Sequence, residues 1–134
     1  MRTKQVRPEK MEYEFELHIS REIDRIRESE YILFKFITTK IFRSFIYRIN
    51  VTPKIDLSKK YIEFLIEGLS APVITIAKSG NALYEYKLYD FKNTEYELKI
   101  LKLDVDKNSF KIKITKGRIK ITKQPIKKFL KVEA

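Results

Sequence analysis

Over its last third the chain alternates strictly, with Lys111-Ile112-Lys113-Ile114 and Arg118-Ile119-Lys120-Ile121 setting a cation and an isoleucine in turn. A period of two is the mark of a strand with one face in a core and the other in water. The rhythm recurs upstream. Met11, Tyr13, Phe15, Leu17 and Ile19 alternate with Glu12, Glu14, Glu16 and His18, predicting a strand with an acidic outer face. Ile62, Phe64 and Ile66 share one side of a strand over 61–67, and Tyr84, Tyr86 and Leu88 share one side of a strand over 82–91. In 94–104 the apolar set shifts from Tyr96, Leu98 and Ile100 to Leu101, Leu103 and Val105, which predicts a bulge near Ile100 and Leu101. Only Ser20 to Ser29 breaks the pattern: Ser20 can cap, Glu22 sits in the first turn, and Ile23 and Ile26 lie three apart, predicting one short helix.

Residues 31–49 are apolar on both faces, since Ile32, Phe34 and Phe36 oppose Tyr31, Leu33 and Ile37. Thirteen of these nineteen residues are β-branched or aromatic, which suits a pleated surface, and the spacing predicts a hairpin of strands 31–38 and 41–51. Such a strand needs cover on both sides. A second sheet can cover one face, and the Ile23/Ile26 helix, another protein or a second copy is expected on the other, with Ile32, Phe34, Phe36, Phe42 and Tyr47 as contact candidates.

Turn chemistry divides the rest. Pro53 and Lys54 to Lys60 read as a polar connection. Gly68 to Pro72, Ser79-Gly80-Asn81, Lys92-Asn93, Asp106 to Ser109 and Lys116-Gly117 read as turns, with a short strand at 73–77. About eight or nine strands with turns every ten residues or so predict an all-β fold, an antiparallel immunoglobulin-like β-sandwich, with a small β-barrel as the alternative. No linker or repeat divides the chain. Residues 1–10 read as a basic arm, 11–124 as one domain, and 125–134 as a basic tail or edge strand.

Composition narrows the classes of function. The 134 residues are 43% apolar, with nine Phe and eight Tyr and no Cys, so a core forms without disulfide or thiolate-held metal. Met1 to Lys10 lacks the apolar run of a secretory leader, and 31–49 carries Lys35, Lys40, Arg43 and Arg48, which exclude a membrane-spanning helix. A cytoplasmic protein is expected. The net charge of +11 is uneven: Glu9 to Glu30 holds eight acids and four bases, whereas Lys107 to Val132 holds ten bases and no acid. Such a run attracts phosphates by counterion release. Lys outnumbers Arg by 21 to 8. Because Lys lacks the planar fork that reads bases, the expected contact with DNA or RNA is non-specific. Lys111, Lys113, Lys116, Arg118, Lys120, Lys123, Lys127 and Lys128 are the candidates for it.

Catalytic chemistry finds little support. Asp104-Val105-Asp106-Lys107-Asn108 begins like a calcium loop, yet Ser109 stands where the sharp-turn glycine is needed and Thr115 where the bidentate Glu is needed. His18, the single histidine, sits on the outer strand face without a partner set in the sequence. There is no Gly-rich phosphate loop or nucleophile elbow. Glu63, Glu85 and Asp90 are the carboxylates available for hydrolytic work. The residues therefore predict no enzyme, no cofactor and no metal. They predict a non-catalytic interaction module, a small subunit of a larger assembly or a homo-oligomer, with nucleic-acid binding as the alternative.

Overall fold

A computed structural model describes residues 15–42, 48–70, 80–102, 106–126 and 128–134. Nine strands account for most of them: β1 (Phe15–Asp24), β2 (Ser29–Phe42), β3 (Arg48–Asp56), β4 (Tyr61–Ser70), β5 (Gly80–Leu88), β6 (Glu95–Lys102), β7 (Asp106–Thr115), β8 (Arg118–Lys123) and β9 (Leu130–Glu133). They form one sheet in the order β8-β7-β6-β4-β3-β5-β2-β1-β9. This single sheet curls nearly shut, so that β1 and β8 come near one another. The small-barrel alternative fits this arrangement; the hydrogen-bonded order does not give two stacked sheets. Nor is the sheet wholly antiparallel, since β1 with β9, β3 with β5 and β4 with β6 run parallel.

The inner face follows the two-residue period. Leu17, Ile32, Phe34, Phe36, Ile62, Phe64, Leu98, Ile100, Ile112 and Ile114 are wholly buried, each two residues from the next on its strand. Phe64 lies at the centre, with ring centroids 5.1 Å from Phe34, 5.1 Å from Phe36 and 5.6 Å from Tyr86. These tilted and edge-on contacts add to the area that the rings bury. Tyr84 and Tyr86 pack against this core from β5, as their shared parity predicts.

Several expectations are corrected. No helix occurs among the described residues, and 20–29 is instead the end of β1, a four-residue turn and the first residue of β2. The Asp24 carboxylate accepts the amides of Ile26 at 3.0 Å and Arg27 at 3.2 Å, and Glu28 adopts a left-handed φ of 51° that returns the chain into β2. Those local bonds compete with a helix for the same amides. Ile23 and Ile26 consequently face outward, 69% and 96% exposed. Asp56 organises the β3–β4 turn in the same way, accepting from Ser58 at 2.6 Å and the Lys59 amide at 3.2 Å, with Lys60 at φ 54°.

The expected hairpin over 31–51 is also replaced. β2 runs unbroken to Phe42, and β5 lies between it and β3. Pro53 belongs to β3 rather than to a connection, opposite Phe64 of β4. It is tolerated because, among the described residues, β3 meets β5 only at Arg48 and no ladder runs along the far side of β3 around Pro53. No bulge occurs at Ile100 and Leu101, which stay in register with β4 and β7. Register shifts fall instead between Ile37 and Ile41, Asn50 and Val51, and Lys111 and Ile112. At the second of these Gly68 takes φ 145°, a region that a side chain disfavours. The strand expected at 73–77 lies outside the described residues.

Phe64→Ala should cost about 3–5 kcal/mol, through lost burial plus the cavity left among three rings. Ile26→Ser should change stability by less than about 0.5 kcal/mol, because the side chain packs on nothing. Urea unfolding of both variants checks the pair; a large loss for Ile26→Ser would restore a docked helix.

Candidate functional site

The β7–β8 ribbon carries the longest run of cations that the fold brings together. Alternation turns Ile112 and Ile114 fully inward and Ile119 and Ile121 partly inward, which forces the intervening basic residues out. Lys107, Lys111, Lys113, Lys116, Arg118, Lys120 and Lys123 are all exposed, and 107–123 contains no acid. Lys116 and Gly117 form the tip, with Gly117 at φ 75° closing the two-residue turn between Thr115 and Arg118.

Register decides what these charges face. Lys113 stands opposite Lys120 and Lys111 opposite Lys123, so two rungs of the ribbon set like charges against each other. On the other flank, Glu95 and Glu97 of β6 stand opposite Lys113 and Lys111. Each row across three strands thus reads Glu, Lys, Lys and keeps one positive charge in excess. The acidic partners of Lys111 and Lys113 thus lie on β6. Thr122 is the extra residue of the bulge, its hydroxyl 3.1 Å from a Glu95 carboxylate oxygen and 3.2 Å from the Lys111 carbonyl. Glu95 is thereby partly engaged by a neutral donor rather than by the lysine that it faces.

Of the eight predicted cationic residues, Lys111, Lys113, Lys116, Arg118, Lys120 and Lys123 gather on this ribbon. Lys128 does not: it lies in the connection from β8 to β9 and donates to Gln124 at 2.8 Å. Lys127 lies outside the described residues. That connection is tied down by Asn108, buried on β7, whose side-chain oxygen accepts from the Phe129 amide at 2.9 Å. Of the predicted protein contacts, Ile32, Phe34 and Phe36 point into the barrel and are wholly buried. Their place as core rather than surface follows from closure of the sheet, which gives β2 an inner face that the chain itself fills. Phe42 ends β2 and its side chain is not described; Tyr47 lies outside the described residues.

Outer aromatic rings are covered by the chain's own cations. Lys99 lies 5.6 Å from the Tyr61 ring centroid, Lys87 5.2 Å from Tyr31, Arg27 3.9 Å from Tyr89 and Arg21 4.9 Å from Phe91. These faces are poor platforms for stacking bases, since the attractive quadrupole is already used.

Among the described residues, other chemistry-bearing groups form one small cluster, around His18, and a set of separate carboxylates. His18 stands between two carboxylates, Nε2 at 3.4 Å from Glu16 and Nδ1 at 3.3 Å from Glu133. Donor atoms of the three lie within 4.8 Å of one another, but the carboxylates address different ring nitrogens, and Lys131 holds Glu133 at 2.9 Å. That lysine keeps the Glu133 carboxyl below its ordinary range. The two carboxylates thus bracket the imidazole from its two nitrogens. Glu63 of β4 and Glu85 of β5 are separated by β3, and Asp90 follows β5 at a left-handed φ of 59°.

Arg21 is a residue whose role the sequence did not reveal. Its guanidinium, mostly buried, pairs with Glu30, donates to Asn93 at 3.1 Å and reaches the Thr115 carbonyl at the end of β7 at 2.8 Å. It thereby spans the gap between the sheet's two ends. Nothing local marks it among the charges of 9–30, because every partner but Glu30 is distant in sequence.

No protein-family model matches this chain, and comparison with curated proteins and with solved structures gives no match. No helix of the described residues is long and apolar enough to cross a membrane.

Tyr61 lies in register with Glu97, at the far end of the row that holds Lys111 and Lys123. Desolvation first, and then its hydrogen bond to Glu63, push its hydroxyl up to about 12. Because folding raises this pKa, the contribution of the neutral phenol is whole below pH 10 and is lost as pH climbs towards 12. Tyr61→Phe should flatten part of the alkaline loss of stability in that window. Burial of Tyr84 and the bond from Tyr89 to Asp24 also raise those phenols, so some loss remains. Urea midpoints measured from pH 9 upward check this; an unchanged alkaline slope in Tyr61→Phe would contradict it.

Proposed function

We propose that this protein is a non-catalytic binding module whose working surface is the outer face of the β7–β8 ribbon and whose ligand is the phosphate backbone of nucleic acid. The supporting observation is the pair of like-charge rungs, Lys111 opposite Lys123 and Lys113 opposite Lys120. Opposed like charges on neighbouring strands weaken a sheet. An anion seated between them turns that repulsion into attraction and releases condensed counterions from the nucleic acid. Lys116 and Arg118 at the tip extend the same field.

The residue types set the mode of contact. Lysine offers point charges rather than forks, so the contact follows the backbone and not the bases. With the outer rings already under cations, a duplex backbone suits the face better than a stacked single strand. The expectation of self-association through Ile32, Phe34 and Phe36 loses its support, because those side chains fill the interior. A net charge of +11 likewise works against pairing of identical copies.

If about five phosphates are neutralised, log K for duplex DNA should fall with log salt at a slope near −4.5, about 500-fold between 50 and 200 mM. Replacing Lys120 and Lys123 together by Gln should reduce the magnitude of that slope by about 1.8. Fluorescence anisotropy with a labelled duplex measures both. Binding that ignores salt, or a double variant with an unchanged slope, would overturn the proposal.

A further inference from the structure

The sheet's two ends leave a seam. Among the described residues, β8 hydrogen-bonds only to β7, and β9 covers β1 only from Phe15 to His18. Beyond His18 the outer edge of β1 therefore faces the free edge of β8 without a backbone ladder between them. Between these edges lies a cleft of about 770 Å³, walled by 117–121 on one side and by 19–21 and 132–134 on the other. Its floor is apolar: Ile19 and Val132 are buried, but Ile119 and Ile121 are only partly covered, unlike their neighbours Ile112 and Ile114. Free edges carry unpaired N–H and C=O groups that a further strand can satisfy.

We infer that this seam is an acceptor site for one extended segment of a partner protein, about five residues long, alternating apolar with acidic side chains. Size supports this. A strand's rise, spacing and layer thickness give roughly 160 Å³ per residue, so the cleft holds about five. Side-chain parity sets the pattern. Inward residues would rest on Ile119, Ile121, Ile19 and Val132, while outward ones would stand beside Arg118 and Lys120, both exposed and on the same face of β8. On the facing wall Glu133 is already held by Lys131 and Arg21 by Glu30, so Arg118 and Lys120 set the charge: they select carboxylates and disfavour a second copy, whose own β8 would bring Arg118 and Lys120 against the same residues. This mode is strand addition, in which the main chain supplies affinity and alternate side chains supply specificity. It does not rest on the nucleic-acid reading: the two share the Arg118 and Lys120 side chains, but only the seam uses the backbone edge of β8.

The test uses the full chain and a capped peptide of alternating Glu and Val, with amide exchange followed by NMR. The peptide should slow exchange of alternate amides in 118–121 and 19–21 by about tenfold or more. A peptide N-methylated at the amides facing one edge should lose that protection, because it cannot complete the ladder. Arg118→Glu combined with Lys120→Glu should reverse the preference towards a Lys/Val peptide without disturbing the fold, since both side chains are exposed. Absence of binding would overturn the inference, as would equal binding of the N-methylated peptide. So would protection confined to the Lys111 and Lys113 face, which would mean simple ionic adhesion. Light scattering showing that the protein alone dimerises through this edge would replace the acidic partner with a second copy. Loss of peptide binding with salt-dependent DNA binding intact removes the seam alone; the opposite result removes the ribbon alone.

Discussion

One sheet has to bury its inner face against itself, and the rest of the structure follows from that constraint. With no second layer among the described residues, alternate side chains of all the strands must meet in one interior, and the sheet curls until they do. The three rings around Phe64 come from β2 and β5, three and two places away in the sheet order, so curvature and not lateral adjacency brings them together. A side chain then ties the two ends of the sheet together at one point, leaving the seam between β1 and β8 open beside it. Arg21 reaches from β1 to Asn93 and to the carbonyl of Thr115, doing with hydrogen bonds from a guanidinium what a backbone ladder does elsewhere.

The same constraint governs the outer surface. Once the isoleucines of β7 and β8 are committed inward, their lysines have to face water and one another, and β6 offers only one glutamate per row to offset two lysines. Excess charge is thus a by-product of packing, held in a fixed geometry by the ladder. That fixed geometry separates a basic face from a diffuse basic tail: the charges keep their spacing whether or not an anion is present. The ribbon's backbone edge and its outer face are chemically distinct, the first offering unpaired amides and carbonyls and the second offering ammonium groups.

Much of this was legible in the sequence, and the failures share a cause. Alternation located β1, β4, β5, β6, β7 and β8 to within a few residues and assigned Ile112, Ile114 and Tyr96 to apolar faces that prove to be interior. It failed where two explanations share a pattern. Ile23 and Ile26 are spaced for a helix, but Asp24 binds the amides that a helix would use. Pro53 reads as a breaker, yet it sits where, among the described residues, β3 has a ladder on one side only. The greasy stretch 31–49 reads as a hairpin because turn signals are local, whereas the insertion of β5 between β2 and β3 is decided by non-local pairing. For the site, sequence identified the cations of the ribbon but not which of them face each other. That depends on a register set by the two-residue turn at Lys116 and Gly117 and by the bulge at Thr122.

The central claim is the strand order, because curvature, the Lys–Lys rungs and the seam all derive from it. Backbone nuclear Overhauser effects on isotope-labelled protein test it directly. The structure predicts cross-strand contacts between Phe34 and Tyr86, between Leu17 and Val132, and between Lys113 and Lys120, with none joining β2 to β3. A ladder of contacts pairing β2 with β3 as a hairpin, with β5 displaced from between them, would contradict the single curled sheet and everything drawn from it.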